Sequence, residues 1–129
     1  MSNEAAVGLI RALIENVDGP DVDRTGWESF AMILQFPGGK FNEAHGYLYS
    51  PDGTVSAVAA DPWKVEAAVK EYTDGYYRPG DALPVKILVR FGRAKGKYDV
   101  AFEDADETRW KMTPRNFRTI HDELRPAFD

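Results

Sequence analysis

The stretch Val85-Lys86-Ile87-Leu88-Val89-Arg90-Phe91, followed after a loop by Tyr98-Asp99-Val100-Ala101-Phe102-Glu103, decides the fold. Val85, Ile87, Val89 and Phe91 alternate with Lys86, Leu88 and Arg90; Tyr98, Val100 and Phe102 alternate with Asp99, Ala101 and Glu103. A period of two is the signature of strands, whose successive side chains point to opposite faces. The residues between, Gly92 to Lys97, read as a hairpin loop. The charges set the register. Placing Arg90 opposite Asp99 also places Lys86 opposite Glu103, Val89 opposite Val100 and Ile87 opposite Phe102. One alignment satisfies every pair, as cross-strand partners require.

Upstream, Trp27 to Phe36 reads as a strand with Phe30, Met32, Leu34 and Phe36 on one face. Trp27, Ala31 and Ile33 make the other face apolar too, so cover is expected on both sides in places. Pro37-Gly38-Gly39-Lys40 turns into a strand from Phe41 to Tyr49, and Pro51-Asp52-Gly53 into a short one from Thr54 to about Ala59. Turns this short make an antiparallel meander.

Helices flank both groups of strands. Val7, Ile10, Ile14 and Val17, widened by Ala6, Leu9 and Leu13, form a helical stripe, with Asn3 as a cap and Asp18-Gly19-Pro20 as a stop. Asp61-Pro62 starts a second helix, since the aspartate caps free N–H groups and proline at the first position loses no bond. Its stripe is Val65, Val69, Tyr72 and Tyr76, and Gly75 and Pro79-Gly80 end it. Thr113-Pro114 starts a last helix lined by Phe117, Ile120 and Leu124, ended by Arg125-Pro126. The order is α-β-β-β-α-β-β-α. Strands in antiparallel groups argue for α+β: one domain over residues 1–129, an antiparallel sheet of about five strands with helices packed largely on one face. How meander and hairpin join is left open.

The chain has 129 residues, 16 basic and 21 acidic, for a net charge of -5. That suffices for a single core without staples. The sequence contains no cysteine, which excludes disulfides, zinc ribbons and thiol nucleophiles. The N-terminus carries Glu4 where a signal peptide needs positive charge, and no stretch is long enough to cross a bilayer, so the cytoplasm is expected.

Among chemical groups, Glu43, His45 and Tyr47 share one strand face, and a carboxylate beside an imidazole could serve as a general base. A half-exposed strand face is the preferred reading, because no nucleophile motif accompanies them. His121, at the edge of the last helix's apolar stripe, reads as packed or capping. Asp21-Val22-Asp23-Arg24-Thr25-Gly26 opens like a calcium loop, yet position 12 is Met32, whose thioether cannot replace a bidentate carboxylate. Asp104, Asp106 and Glu107 lie on one loop and read as solvated. Arg115, Arg118 and Arg125 share a side of the last helix, with Arg109 and Lys111 before it. Asp122 interrupts that basic face, so nucleic acid is disfavoured as a partner. No cofactor or metal is expected.

Charge is distributed unevenly. Residues 1–77 carry 5 basic and 12 acidic side chains, and residues 78–129 carry 11 and 9. The acidic part also holds Tyr47, Tyr49, Trp63, Tyr72, Tyr76 and Tyr77. Carboxylates that steer a basic partner, with rings to anchor it, are what an inhibitor surface needs.

In layout the chain resembles the YezG-like group of small bacterial proteins, which includes antitoxins and immunity proteins for secreted nuclease toxins. An amphipathic helix precedes a Trp27-led strand, a Gly46-Tyr47-Leu48-Tyr49 strand follows, then a central helix and a late Trp110. The resemblance implies a non-enzymatic protein that binds and blocks a toxin domain. The expected function is therefore stoichiometric binding of a basic protein, possible contacts being Glu43, His45 and Tyr47 on an acidic face of the meander and adjoining helices. The alternative is an enzyme or small-ligand binder with a pocket between sheet and helices, using His45 and Glu43 with Arg90 or Arg109 as an anion clamp.

Overall fold

A computed structural model describes residues 4–19, 26–78, 80–94, 96–111, 113–116 and 118–126. In chain order these form α1 (Glu4–Asn16), β1 (Val17–Asp18), β2 (Ser29–Gln35), β3 (Glu43–Tyr49), β4 (Val55–Ala60), α2 (Pro62–Asp74), β5 (Lys86–Gly92), β6 (Lys97–Glu103) and α3 (Ile120–Leu124). The strands make one antiparallel sheet of order β1-β4-β3-β2-β5-β6. The α+β class is as the sequence indicates, with six strands in place of about five. The additional strand is β1, where Val17 and Asp18 leave the first helix and pair with Ala60 and Ala59.

The hairpin register is the one set by its charges. Lys86 faces Glu103, Ile87 faces Phe102, Val89 faces Val100 and Arg90 faces Asp99. The Arg90 guanidinium donates to both Asp99 carboxylate oxygens, at 2.8 and 2.7 Å. Meander and hairpin join through β2, which pairs with β3 on one side and β5 on the other. Ser29 to Leu34 are all buried. Such a strand needs apolar cover above and below.

On the first face, α1 and α2 pack side by side over Phe30, Met32, Leu34, Ala44, Leu48, Val58, Ile87 and Val89. The α1 stripe is rotated from its expected centre. Ala6, Leu9, Ile10 and Leu13 are buried, whereas Val7 is 46% exposed and Ile14 half-buried. Asp61 caps α2 as expected, accepting from the Trp63 N–H at 3.0 Å. Val65, Val69 and Tyr72 are buried, and Tyr76, beyond the last helical residue, is 48% exposed. Tyr72, Tyr76 and Tyr77 surround Phe102 at 6.3, 5.3 and 6.2 Å between ring centroids, fastening the end of α2 to β6. Trp27, expected on the opposite face, stands before β2 begins and packs on this one, 6.0 Å from Phe30 and 6.3 Å from Phe91.

The second face carries a smaller cluster, Ala31, Ile33, Tyr49 and Leu88 under Ile120 and Leu124 of α3. Two long helices thus occupy one side and a short one the other. Thr113-Pro114 does not start the helix. The Asn116 side chain accepts from the Thr113 N–H at 2.6 Å and donates to the Lys111 carbonyl at 3.0 Å. Local bonds of this kind compete with a helix, which begins only at Ile120. Asn3, Pro20, Pro79 and Phe117 lie outside the described residues.

Gly46 on β3 is where the sheet tolerates least. A Cβ there would stand 1.9 Å from the Ala31 carbonyl oxygen and 2.8 Å from its carbon. These are backbone atoms and cannot rotate away. Gly46→Ala is expected to destabilise the fold by about 2 to 3 kcal/mol, as overpacking does. Urea unfolding tests this, and a loss below about 0.5 kcal/mol would contradict the close approach of β2 and β3.

Candidate functional site

Strand alternation and register place Glu43, His45, Tyr47 and Tyr49 on the second face, beside Gln35, Ile33, Ala31 and Ser29 of β2 and Ala59, Ala57 and Val55 of β4. The cover over this row ends partway along. Tyr49 is buried under α3; its hydroxyl donates to the His121 carbonyl at 2.5 Å, and the Arg125 guanidinium sits 5.4 Å over its ring. Burial pushes the Tyr49 phenol up, so it stays a neutral donor. Tyr47 is half-buried, its ring 6.1 Å from that of His121. His121 is packed as expected, with Nδ1 3.2 Å from Asp122. Beyond Tyr47 the face is open: His45 is half-buried, and Glu43, Ala57 and Ala59 are exposed.

The Gln35 amide donates to His45 Nε2 at 2.8 Å. Given that amide orientation, the acceptor nitrogen is bare and the ring proton sits on Nδ1. Burial lowers the His45 pKa; Glu43 opposes this and Lys86 adds to it. Lys86 is 5% exposed, and its ammonium donates to the Arg109 carbonyl at 2.9 Å. Burial lowers its pKa too, while Asp106, Glu107 and Glu43 resist.

The acidic stretch after β6 is folded around Glu103. That carboxylate accepts from Arg109 at 2.9 Å and from the Asp106 and Ala105 N–H groups at 3.1 and 3.2 Å. The Arg109 bond, then the backbone donors, hold its pKa at about 2. Asp106 accepts from the Thr108 N–H and hydroxyl at 2.9 and 2.6 Å. Among the described residues no three His, Asp or Glu side chains are grouped to hold a metal ion. Asp21 to Thr25 lie outside the described residues, and Met32 is buried in β2.

The groups named for a ligand pocket do not converge. Arg90 is engaged by Asp99 on the hairpin, and Arg109 by Glu103 and the Trp110 ring, 4.5 Å away. A cleft of about 460 Å3 lies instead beside α2, over Phe36, Phe41, Val69 and Leu83. His45, Glu43, Arg90 and Arg109 do not line it. Arg115, Arg118 and Arg125 form no common helix face, because α3 spans Ile120 to Leu124 and Arg125 is its C-cap.

The acidic surface also differs from expectation. Glu4 and Glu15 of α1 and Glu66, Glu71 and Asp74 of α2 belong to the helix layer, whereas Glu43 points to the opposite face. The reason is pleating: Ala44 and Leu48 are the residues beneath the helices, so odd-numbered neighbours face away. The two sets meet at one corner. Ala44 pairs with Ala60, so Glu43 and Asp61 are the next residues along adjacent strands. At that corner stands Trp63, 85% exposed. Its exposure was readable from the helical period, since Trp63 falls two positions before Val65 and off the buried stripe.

No protein-family model, curated protein or solved structure matches the chain. Among the described residues no helix is long and apolar enough to cross a membrane.

The His45 environment has a pH signature. A folded-state pKa below the unfolded value means the unfolded chain binds the proton more readily. Its contribution to stability is therefore present above about pH 6.5 and declines as pH falls through the lowered value. An NMR titration of the His45 ring should give a midpoint below 6.5. A midpoint at or above 6.5 would show that Glu43 outweighs burial.

Proposed function

We propose that this chain is a stoichiometric protein-binding domain of the immunity or antitoxin type, blocking a basic nuclease toxin domain in the cytoplasm without transforming it. The observation that carries this reading is the open half of the second face. There α3 stops short and leaves Tyr47, His45 and Glu43 beside the exposed Ala57 and Ala59, a low surface with small residues and a polar rim. Flat surfaces with an aromatic and few charges at the centre suit a macromolecule better than a metabolite, which needs concavity. The YezG-like layout supports the same class of partner, as does the acidic balance of residues 1–77. The alternative of a ligand pocket between sheet and helices has the cleft beside α2 in its favour. Of the ionisable groups named for its chemistry, His45, Arg90 and Arg109 are held elsewhere in hydrogen bonds and ion pairs, and Glu43 does not line that cleft.

Glu43 lies at the rim, where charge governs encounter more than residence. With a basic nuclease domain captured by this protein as partner, Glu43→Lys should slow association by about five- to tenfold at low ionic strength, and the difference should shrink as salt rises. Stopped-flow mixing reads this directly. Equal rates at every ionic strength would place the interface elsewhere.

A further inference from the structure

Trp63 does little for the core. Its backbone N–H is bound by the Asp61 cap, while its ring, 85% exposed, stands clear of the buried stripe of α2. Tryptophan is among the side chains enriched as anchors of protein contacts. It borders a depression of about 250 Å3 with Phe41, Asn42, Pro62 and Glu66. Phe41 and Glu66 also line the 460 Å3 cleft, so the two depressions adjoin at these residues, and the larger extends beside α2 to Thr73 and Tyr77.

The charges around the ring indicate the occupant. Glu66 follows Trp63 by three residues and so lies on the same side of the helix. Asp61 precedes it, and Glu43 neighbours Asp61 by strand register. The lining of the depression at Trp63 contains a carboxylate and no cation. Farther along, the floor is apolar and the rim balanced in charge, with Lys40, Lys70 and Arg78 alongside Asp74 and Asp81, and Lys70 held by Asp74 at 2.8 Å, so the preference for a cation is confined to the Trp63 end. An exposed tryptophan ring bordered by Glu66 favours a guanidinium, which stacks on tryptophan while donating to a carboxylate at its edge.

We propose that the groove along α2 seats an extended, arginine-bearing segment of a basic protein, with the guanidinium on Trp63 beside Glu66 and Asp61 and a following apolar side chain over Phe41 and Val69. This rests on the protein-binding reading, and extends that interface around the Glu43–Asp61 corner onto the helix layer.

The probe is a capped hexapeptide with two arginines flanking a leucine, titrated into the 15N-labelled protein and followed at the Trp63 indole. Saturable shifts confined to Trp63, Glu66 and Val69 are expected, weakened at least tenfold in Trp63→Ala and about threefold in Glu66→Gln; the glutamate counterpart of the peptide should not bind. Trp63→Phe, which keeps a ring, should recover part of the affinity. Unchanged affinity in Trp63→Ala, or non-saturating shifts spread over the carboxylates of α1, would overturn the proposal. Inhibition of a basic nuclease toxin domain that the protein captures separates the two claims. If Trp63→Ala inhibits as well as wild type, the groove is refuted and the binding reading stands; if wild type captures no such domain, that reading fails, and the peptide titration still decides the groove.

Discussion

A strand that is apolar on both sides governs the molecule. β2 has Phe30, Met32 and Leu34 beneath one layer and Ala31 and Ile33 beneath another, with β3 and β5 bonded to its two edges. Burial of that much apolar surface is the main driving force available to a cysteine-free chain of 129 residues. It has a consequence for function. Two helices suffice for the first face, but the five-residue α3 covers only the centre of the second, so the β3–β4 half stays open. The surface proposed for binding is the part of the sheet that the described helices leave exposed.

Local patterns were legible where two independent signals agreed. The hairpin of β5 and β6 had alternation and charge pairing, and its register follows from both. At the start of α2, Asp61 and Pro62 act together and the helix begins there. Where one signal stood alone, tertiary context decided. Thr113-Pro114 looked like a helix start, but Asn116 takes up the backbone groups that a helix would use. Val7 matched the spacing of the α1 stripe, yet Leu9 and Leu13 lie closer to its buried centre. The pairing of β2 with β5 and the edge pairing of Val17-Asp18 left no local trace, being contacts between residues distant in sequence.

The site was legible in part. Alternation correctly put Glu43, His45 and Tyr47 on one face, and no sequence pattern could show that the helices would pack on the other. That side is chosen by Ala44, Leu48 and Val58, whose small and branched side chains make the bed for α1 and α2. As a result the acidic groups are divided between the two faces, and the two sets adjoin where Glu43 begins β3 and Asp61 follows β4. Trp63 sat among the aromatic candidates, most of which, such as Tyr49 and Tyr72, are buried. Its helical phase was the signal that separates it from them.

We propose that one corner of the molecule, from the outward side of β3 and β4 to the first turn of α2, receives a basic protein. Amide hydrogen exchange of the free protein against its complex with a basic protein partner tests this most directly. Slower exchange is predicted in β4 and in the first turn of α2, with the β5–β6 hairpin and the turn around Glu103 unchanged. Protection confined to that hairpin and turn, with β4 exchanging as in the free protein, would contradict it.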